Sequence, residues 1–241
     1  RMSRLFPSHT VVPASGQPIE SLVVLLHGVG SNGEDMISLA RYWSPLLPNT
    51  AFIAPNAPYP FSSASLYDMT DAYEWFSLDD RSLPVIHQKA LAATPIMQTF
   101  LDDQLAAYGL TNRELMLVGF SQGAMMSVYT ALSRTDTIGG VIGFSGLHGN
   151  PQDIADTCSA KPATLLIHGT MDEVVPIQRL HDLQTGLENA NIPVLSWAVE
   201  GLPHTIHPAG IELAGRFIQH CFTHQTIQGF ELAGHIGQRF R

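Results

Sequence analysis

Cysteine is almost absent from this chain, which has only Cys158 and Cys221, far apart in sequence. With no second pair and no Cys/His spacing of the zinc type, a disulfide-stapled scaffold and a structural zinc site are both excluded as readings. Also missing is any apolar run near the roughly 20 residues that a membrane-spanning helix requires, so no stable membrane insertion is expected. Basic residues are few, 12 Lys+Arg against 21 Asp+Glu for a formal charge of -9, and they form no run. That composition removes the electrostatic footprint of nucleic-acid binding and of docking on anionic membranes. Residues 1–10 show no charged segment followed by an apolar stretch. Together with the two unpaired cysteines, this points to a cytoplasmic, reduced setting. No repeat or linker interrupts the chain.

The 241 residues are 45% hydrophobic, enough for one substantial core. One domain spanning 1–241 is therefore expected. Short apolar runs at 21–26, 51–54, 114–118, 140–144, 163–168 and 194–199 alternate with helix-compatible stretches at 33–43, 85–108, 124–134, 177–190 and 208–221. This alternation specifies an α/β fold, a mostly parallel central sheet with helices on both faces, and 10–13 adds an antiparallel edge. Segment 56–81 is different, rich in turns and aromatics including Tyr59, Phe61, Tyr67, Trp75 and Phe76. It reads as a long excursion above the sheet, of the kind that is usually functional. The core is expected over about 10–222, leaving 223–241 as a C-terminal extension with no assigned role.

The chemistry-bearing motif is Gly119-Phe120-Ser121-Gln122-Gly123, set between the apolar run Leu115-Met116-Leu117-Val118 and a helical stretch from Ala124. By itself a G-x-S-x-G pentapeptide arises by chance in roughly one chain in ten of this length. Between a buried strand and a helix, however, it has the form of a nucleophile elbow, where small neighbours let the chain turn sharply and present the serine. A serine hydroxyl needs a histidine to take its proton and a carboxylate to orient that histidine. Both follow in the expected order at later strand ends: Asp172 after the run ending at His168, and His204 after the run ending near Val199. Asp172 also suits capping the next helix, ahead of Pro176. His207 competes with His204, although its place before Pro208 suits a helix start. A metal reading of that histidine pair lacks cysteines or carboxylates at ligand spacing.

Developing negative charge on the reacting carbonyl calls for backbone N–H donors. The residue after the nucleophile, Gln122, offers one, which leaves its side chain the more dispensable part. The glycine-rich turn His27-Gly28-Val29-Gly30 offers Val29 as the second. His27 is expected to brace that turn, and His148 and His181 to be solvated or locally bonded. Trp75, Phe76 and Leu147 are the residues expected to line a substrate pocket.

These residues together resemble the phospholipase/carboxylesterase family of α/β-hydrolases, which contains bacterial carboxylesterases and acyl-protein thioesterases. Besides the pentapeptide, the resemblance rests on Leu26-His27-Gly28-Val29-Gly30, Ile53-Ala54-Pro55-Asn56-Ala57-Pro58, Tyr73-Glu74-Trp75-Phe76, the stretch from His168 to Pro176, and His204-Thr205-Ile206. It covers roughly 20–221. The resemblance implies a triad of Ser121, Asp172 and His204 and an oxyanion hole from the Val29 and Gln122 backbones; no cofactor or metal is expected. Family members commonly have leucine where Val29 stands, and the thioesterase branch has aspartate where this chain has Ser77, which favours the bacterial esterase branch.

The expected activity is a serine carboxylesterase acting on carboxylic esters, or thioesters, of uncharged acyl chains through an acyl-enzyme on Ser121. The alternatives are a lysophospholipase or acyl-protein thioesterase, and a ligand-binding module on a hydrolase scaffold. The expected partner is a small-molecule ester or lipid-like substrate, with homodimerisation left open.

Overall fold

The computed structural model describes residues 6 to 232. Its strands are β1 (Ser8–Val11), β2 (Ser21–Leu26), β3 (Thr50–Pro55), β4 (Tyr59–Pro60), β5 (Tyr73–Glu74), β6 (Leu115–Phe120), β7 (Gly140–Phe144), β8 (Thr164–Gly169) and β9 (Val194–Val199). Its helices are α1 (Gly33–Ile37), α2 (Ala40–Trp43), α3 (Leu83–Tyr108), α4 (Gln122–Ser133), α5 (Ile154–Thr157), α6 (Gln178–Asn189) and α7 (Pro208–His224). The main sheet runs β1-β3-β2-β6-β7-β8-β9, parallel except for the antiparallel edge β1. This is the mostly parallel α/β architecture that the alternating runs predict.

Alternate residues of each strand face opposite sides of the sheet, so a strand buried on both faces needs apolar side chains at every position. Leu22, Val24 and Leu26 of β2 enter one core with Met97, Phe100 and Leu101 of α3 and Met126 of α4. Val23 and Leu25 enter the other with Trp43 of α2 and Leu213, Phe217 and Ile218 of α7. The sheet thus separates two cores, and the strands' carboxyl ends open toward one edge, where crossovers leave ligands room to bind.

Three expectations are corrected. The single helix at 33–43 is two short helices, interrupted at Ser38 and Leu39. The excursion 56–81 is partly regular, since β4 and β5 pair as an antiparallel ribbon around a 3₁₀ turn, Ala64–Tyr67. The core runs past the expected limits at both ends. Phe6 is 4% exposed and meets Phe100 edge-on at 5.2 Å. After α7 the chain folds back, placing Phe230 edge-on to Phe217 at 5.4 Å and the Gln228 carbonyl 2.9 Å from His220 Nε2. Residues 233–241 of the expected extension lie outside the described residues.

Candidate active site

Strand β6 ends at Phe120 and α4 begins at Gln122, so one residue makes the whole reversal. Ser121 adopts φ 56 and ψ -117, a conformation that costs a non-glycine residue about 1–3 kcal/mol. Two glycines make the turn sterically feasible. A Cβ at position 119 would lie 2.1 Å from the Gly123 carbonyl oxygen, and one at 123 would lie 1.9 Å from that of Leu26. The Ser121 N–H donates to the Phe144 carbonyl of β7 at 2.9 Å, which ties the elbow to the sheet.

Asp172 follows β8 and His204 follows β9, and the parallel pairing of those strands brings the two loops together beside Ser121. The Asp172 carboxylate is fully buried. Its Oδ1 accepts the N–H groups of Val174 and Val175, each at 2.8 Å, and its Oδ2 accepts His204 Nδ1–H at 2.6 Å. A carboxylate only accepts, so the imidazole proton is held on Nδ1 and the Nε2 lone pair faces Ser121 Oγ, 3.1 Å away. The helix-capping alternative fails for Asp172, because α6 starts at Gln178, with Ile177 rather than the aspartate at its N-cap. His207 does cap its helix, its Nδ1 accepting the Ala209 N–H at 3.1 Å.

His168, not singled out as a site residue in the sequence, lies beneath this array. It is 2% exposed, its Nε2–H donates to the Val175 carbonyl at 2.8 Å, and the same nitrogen is 3.5 Å from Asp172 Oδ2. Burial lowers its pKa, which favours the neutral ring.

The turn after β2 is braced by His27. Its Nδ1–H donates to the Gly28 carbonyl at 2.7 Å and its Nε2 accepts the Ala57 N–H at 2.9 Å. Burial depresses its pKa too, in keeping with a neutral bracing role. Gly30 N–H donates to the Tyr73 carbonyl, fixing the turn against β5. Among the described residues, no acceptor takes the N–H of Val29 or of Gln122. The second is an unpaired donor at the start of a helix, where the helix dipole favours negative charge.

The expectation that the Gln122 side chain is dispensable is overturned. It is fully buried, its Oε1 accepts the Trp75 N–H at 2.9 Å and its Nε2 donates to the Phe76 carbonyl at 2.7 Å. The sequence offers no direct sign of this link. His148, expected to be solvated or locally bonded, is locally bonded rather than solvated: it is 5% exposed, its Nδ1 accepts the Asn150 N–H at 3.0 Å, and it stacks on Tyr129 at 4.2 Å.

A cleft of about 520 Å³ opens beside Ser121 and His204, with Val29 also in its wall. Leu147 lines it as expected, together with Ile86, Met125 and Val175. Trp75 and Phe76 do not. The Trp75 ring is 2% exposed because its indole N–H donates to the His27 carbonyl at 2.8 Å while its face packs toward Phe6. A buried indole must satisfy that N–H, and here the partner lies inside. Phe76 is likewise turned into the core. The excursion supplies Leu78 and Arg81 to the cleft instead, and α6 supplies Arg179. Among the described residues, no helix is long and apolar enough to cross a membrane.

A serine, a histidine and a carboxylate in this relation can deliver an alkoxide-like oxygen to a carbonyl bound in the cleft. The comparisons agree with that chemistry. The phospholipase/carboxylesterase family profile matches residues 7–222. The crystal structure of esterase PE8 superposes with a TM-score of 0.82 at 36% identity, covering 90% of this chain and 99% of that one. Acyl-protein thioesterase 1 of Eremothecium gossypii is 28% identical over 223 residues, 86% of this chain and 91% of its own. Esterase YpfH of Escherichia coli is 27% identical over 214 residues, 86% and 85% of the two chains. The chain belongs to the phospholipase/carboxylesterase family of α/β-hydrolases.

Proposed function

We propose that this protein is a carboxylesterase in which Ser121, His204 and Asp172 act as nucleophile, base and orienting acid. The reading is carried by one observation, the unbroken line from Ser121 Oγ to His204 Nε2 at 3.1 Å and from His204 Nδ1 to Asp172 Oδ2 at 2.6 Å. His204 takes the hydroxyl proton as Oγ attacks the ester carbonyl. The tetrahedral oxyanion then collapses, His204 gives its proton to the departing alcohol, and the acyl group remains on Ser121 as an ester. Water, losing a proton to the same nitrogen, repeats the attack and releases the acid. The N–H groups of Val29 and Gln122 are the donors for the oxyanion. An unpaired donor at each position supports this, since stabilising developing charge is usually the largest single catalytic term.

The imidazolium formed at each step is compensated by the buried Asp172 carboxylate, which stays ionised throughout. Esterase PE8 and esterase YpfH support an oxygen ester, while the relative named acyl-protein thioesterase 1 supports a thioester. The acyl part fits the apolar side chains Ile86, Met125 and Leu147. Ser121→Ala is expected to abolish turnover of p-nitrophenyl butyrate and labelling by a fluorophosphonate, with the circular dichroism spectrum unchanged. Turnover surviving in that variant would sink the assignment.

A further inference from the structure

The cleft is apolar at one end and cationic at the other. Ile86, Met125 and Leu147 are 4%, 3% and 7% exposed and form its depth. Arg81 is exposed and Arg179 half-buried, and both line the same cleft nearer solvent, beside the exposed Val174 and Pro176. No acidic side chain lines it among the described residues. In a chain with 21 Asp+Glu against 12 Lys+Arg, two arginines facing a cleft without a carboxylate run against the overall balance.

The nearby acids are engaged elsewhere. Asp79 pairs with Lys89 at 2.7 Å, and that bond holds its carboxyl below the usual range. Asp80 accepts the Ser82 N–H at 2.9 Å, with the same effect. Neither carboxylate pairs with Arg81, whose guanidinium has no partner among the described residues. Arg179 is held from one side only, its Nη1 3.2 Å from Asp182 Oδ2, which fixes the guanidinium and leaves its other N–H groups available. Arg134 differs in this respect. It spends its guanidinium on Asn112, Gln98 and Asp102.

A guanidinium offers a planar fork that matches carboxylate and phosphate oxygens, and apolar walls on either side raise the strength of such a contact above its value in open water. Building on the esterase reading above, we propose that Arg81 and Arg179 are specificity-determining residues. They bind an anionic group, carboxylate or phosphate, carried on the alcohol or thiol side of the substrate. The acyl chain, uncharged, occupies the apolar depth. The polarity of the cleft sets this direction: the buried end excludes a charge, and the leaving group departs through the exposed end.

The test uses three butyrate esters of one phenol, differing only at the meta position: 3-carboxyphenyl, 3-phosphophenyl and the neutral 3-(methoxycarbonyl)phenyl butyrate. Each is measured with the intact protein and with Arg81→Gln and Arg179→Gln. At about 20 mM salt, kcat/KM for at least one anionic ester should exceed that for the neutral ester by about tenfold or more. The ratio should fall as salt rises and fall toward unity in both arginine variants. Which anion gains distinguishes carboxylate from phosphate recognition. A ratio at or below one for both anions, or a ratio unchanged by both substitutions, overturns the arginine assignment while leaving the esterase reading intact. No turnover of any of the three, with no fluorophosphonate label, would instead overturn the esterase reading itself.

Discussion

Gln122 holds Trp75 by its main chain: the glutamine Oε1 accepts the Trp75 N–H at 2.9 Å, and its Nε2 reaches the next carbonyl, that of Phe76, at 2.7 Å. One side chain therefore ties the first turn of α4, and with it the proposed oxyanion donor, to the excursion that leads to Leu78 and Arg81. Gln122→Ala would leave a buried N–H and a buried carbonyl unpaired. The expected cost is about 2–4 kcal/mol in urea denaturation, with kcat reduced by roughly tenfold to a hundredfold and KM changed less. Stability equal to the parent protein would show the link to be incidental.

The two small residues near the elbow should behave differently. Gly123→Ala places a Cβ 1.9 Å from the Leu26 carbonyl oxygen, backbone against backbone, so the packing of α4 on β2 must give way. Loss of soluble protein, or destabilisation of at least about 4 kcal/mol, is expected. Gly28→Ala brings a Cβ only to 3.4 Å from Phe120 and Ser121, an ordinary contact. That variant should fold, with thermal melting within a few degrees of the parent. A Gly123→Ala protein with normal melting would contradict the geometry.

Acid should destabilise the protein through its buried histidines. His148 is pushed down to about 3 by burial and by neighbouring His87, while the unfolded chain takes up the same proton near 6.5. A lowered histidine pKa means that the unfolded state binds more protons between those values. Stability is thus complete above about 6.5 and declines as pH falls toward 3, by up to about 1.4 kcal/mol per pH unit for this one group. His27 and His168, also depressed chiefly by burial, act in the same direction. In His148→Asn, whose side-chain oxygen can still accept the Asn150 N–H, the slope of unfolding free energy between pH 6 and pH 4.5 should be shallower by up to about that amount. An unchanged slope would remove His148 from the account.

The two cysteines should be told apart by alkylation. Cys221 is fully buried, and burial pushes its thiol up to about 12, whereas Cys158 is half-buried. Iodoacetamide near pH 8 is expected to add one group to the native protein, at Cys158, and two after denaturation. Modification of Cys221 under native conditions would imply opening of the core beneath α7.

The strands were the most legible part of the sequence. The bounds expected at 21–26, 140–144 and 194–199 match β2, β7 and β9, because each is an apolar run closed by polar or turn-forming residues. The roles proposed for Ser121, Asp172 and His204 could be read from their places after strands, since parallel pairing brings successive carboxyl ends to one edge. Side-chain direction in irregular segments was not legible. The aromatics of 56–81 gave no sign of which way they turn, and Trp75 goes inward for the sake of a carbonyl on His27, 48 residues away. The cleft positions of Arg81 and Arg179 are not legible for a related reason: the two lie 98 residues apart in no shared motif, and only the fold brings them to one cleft. Phe230 lay in a glycine-bearing tail without periodicity, and its contact with Phe217 depends on a reversal after α7.

The turn that carries Asp172 joins two duties by a device that keeps them separable. Val174 and Val175 grip the carboxylate through main-chain N–H groups, while their side chains form part of the cleft wall. Any residue other than proline can supply the same two donors. The wall at these positions is therefore open to evolutionary change, and to library design, at little cost to the acid: substrate range can drift there while the geometry around His204 stays put.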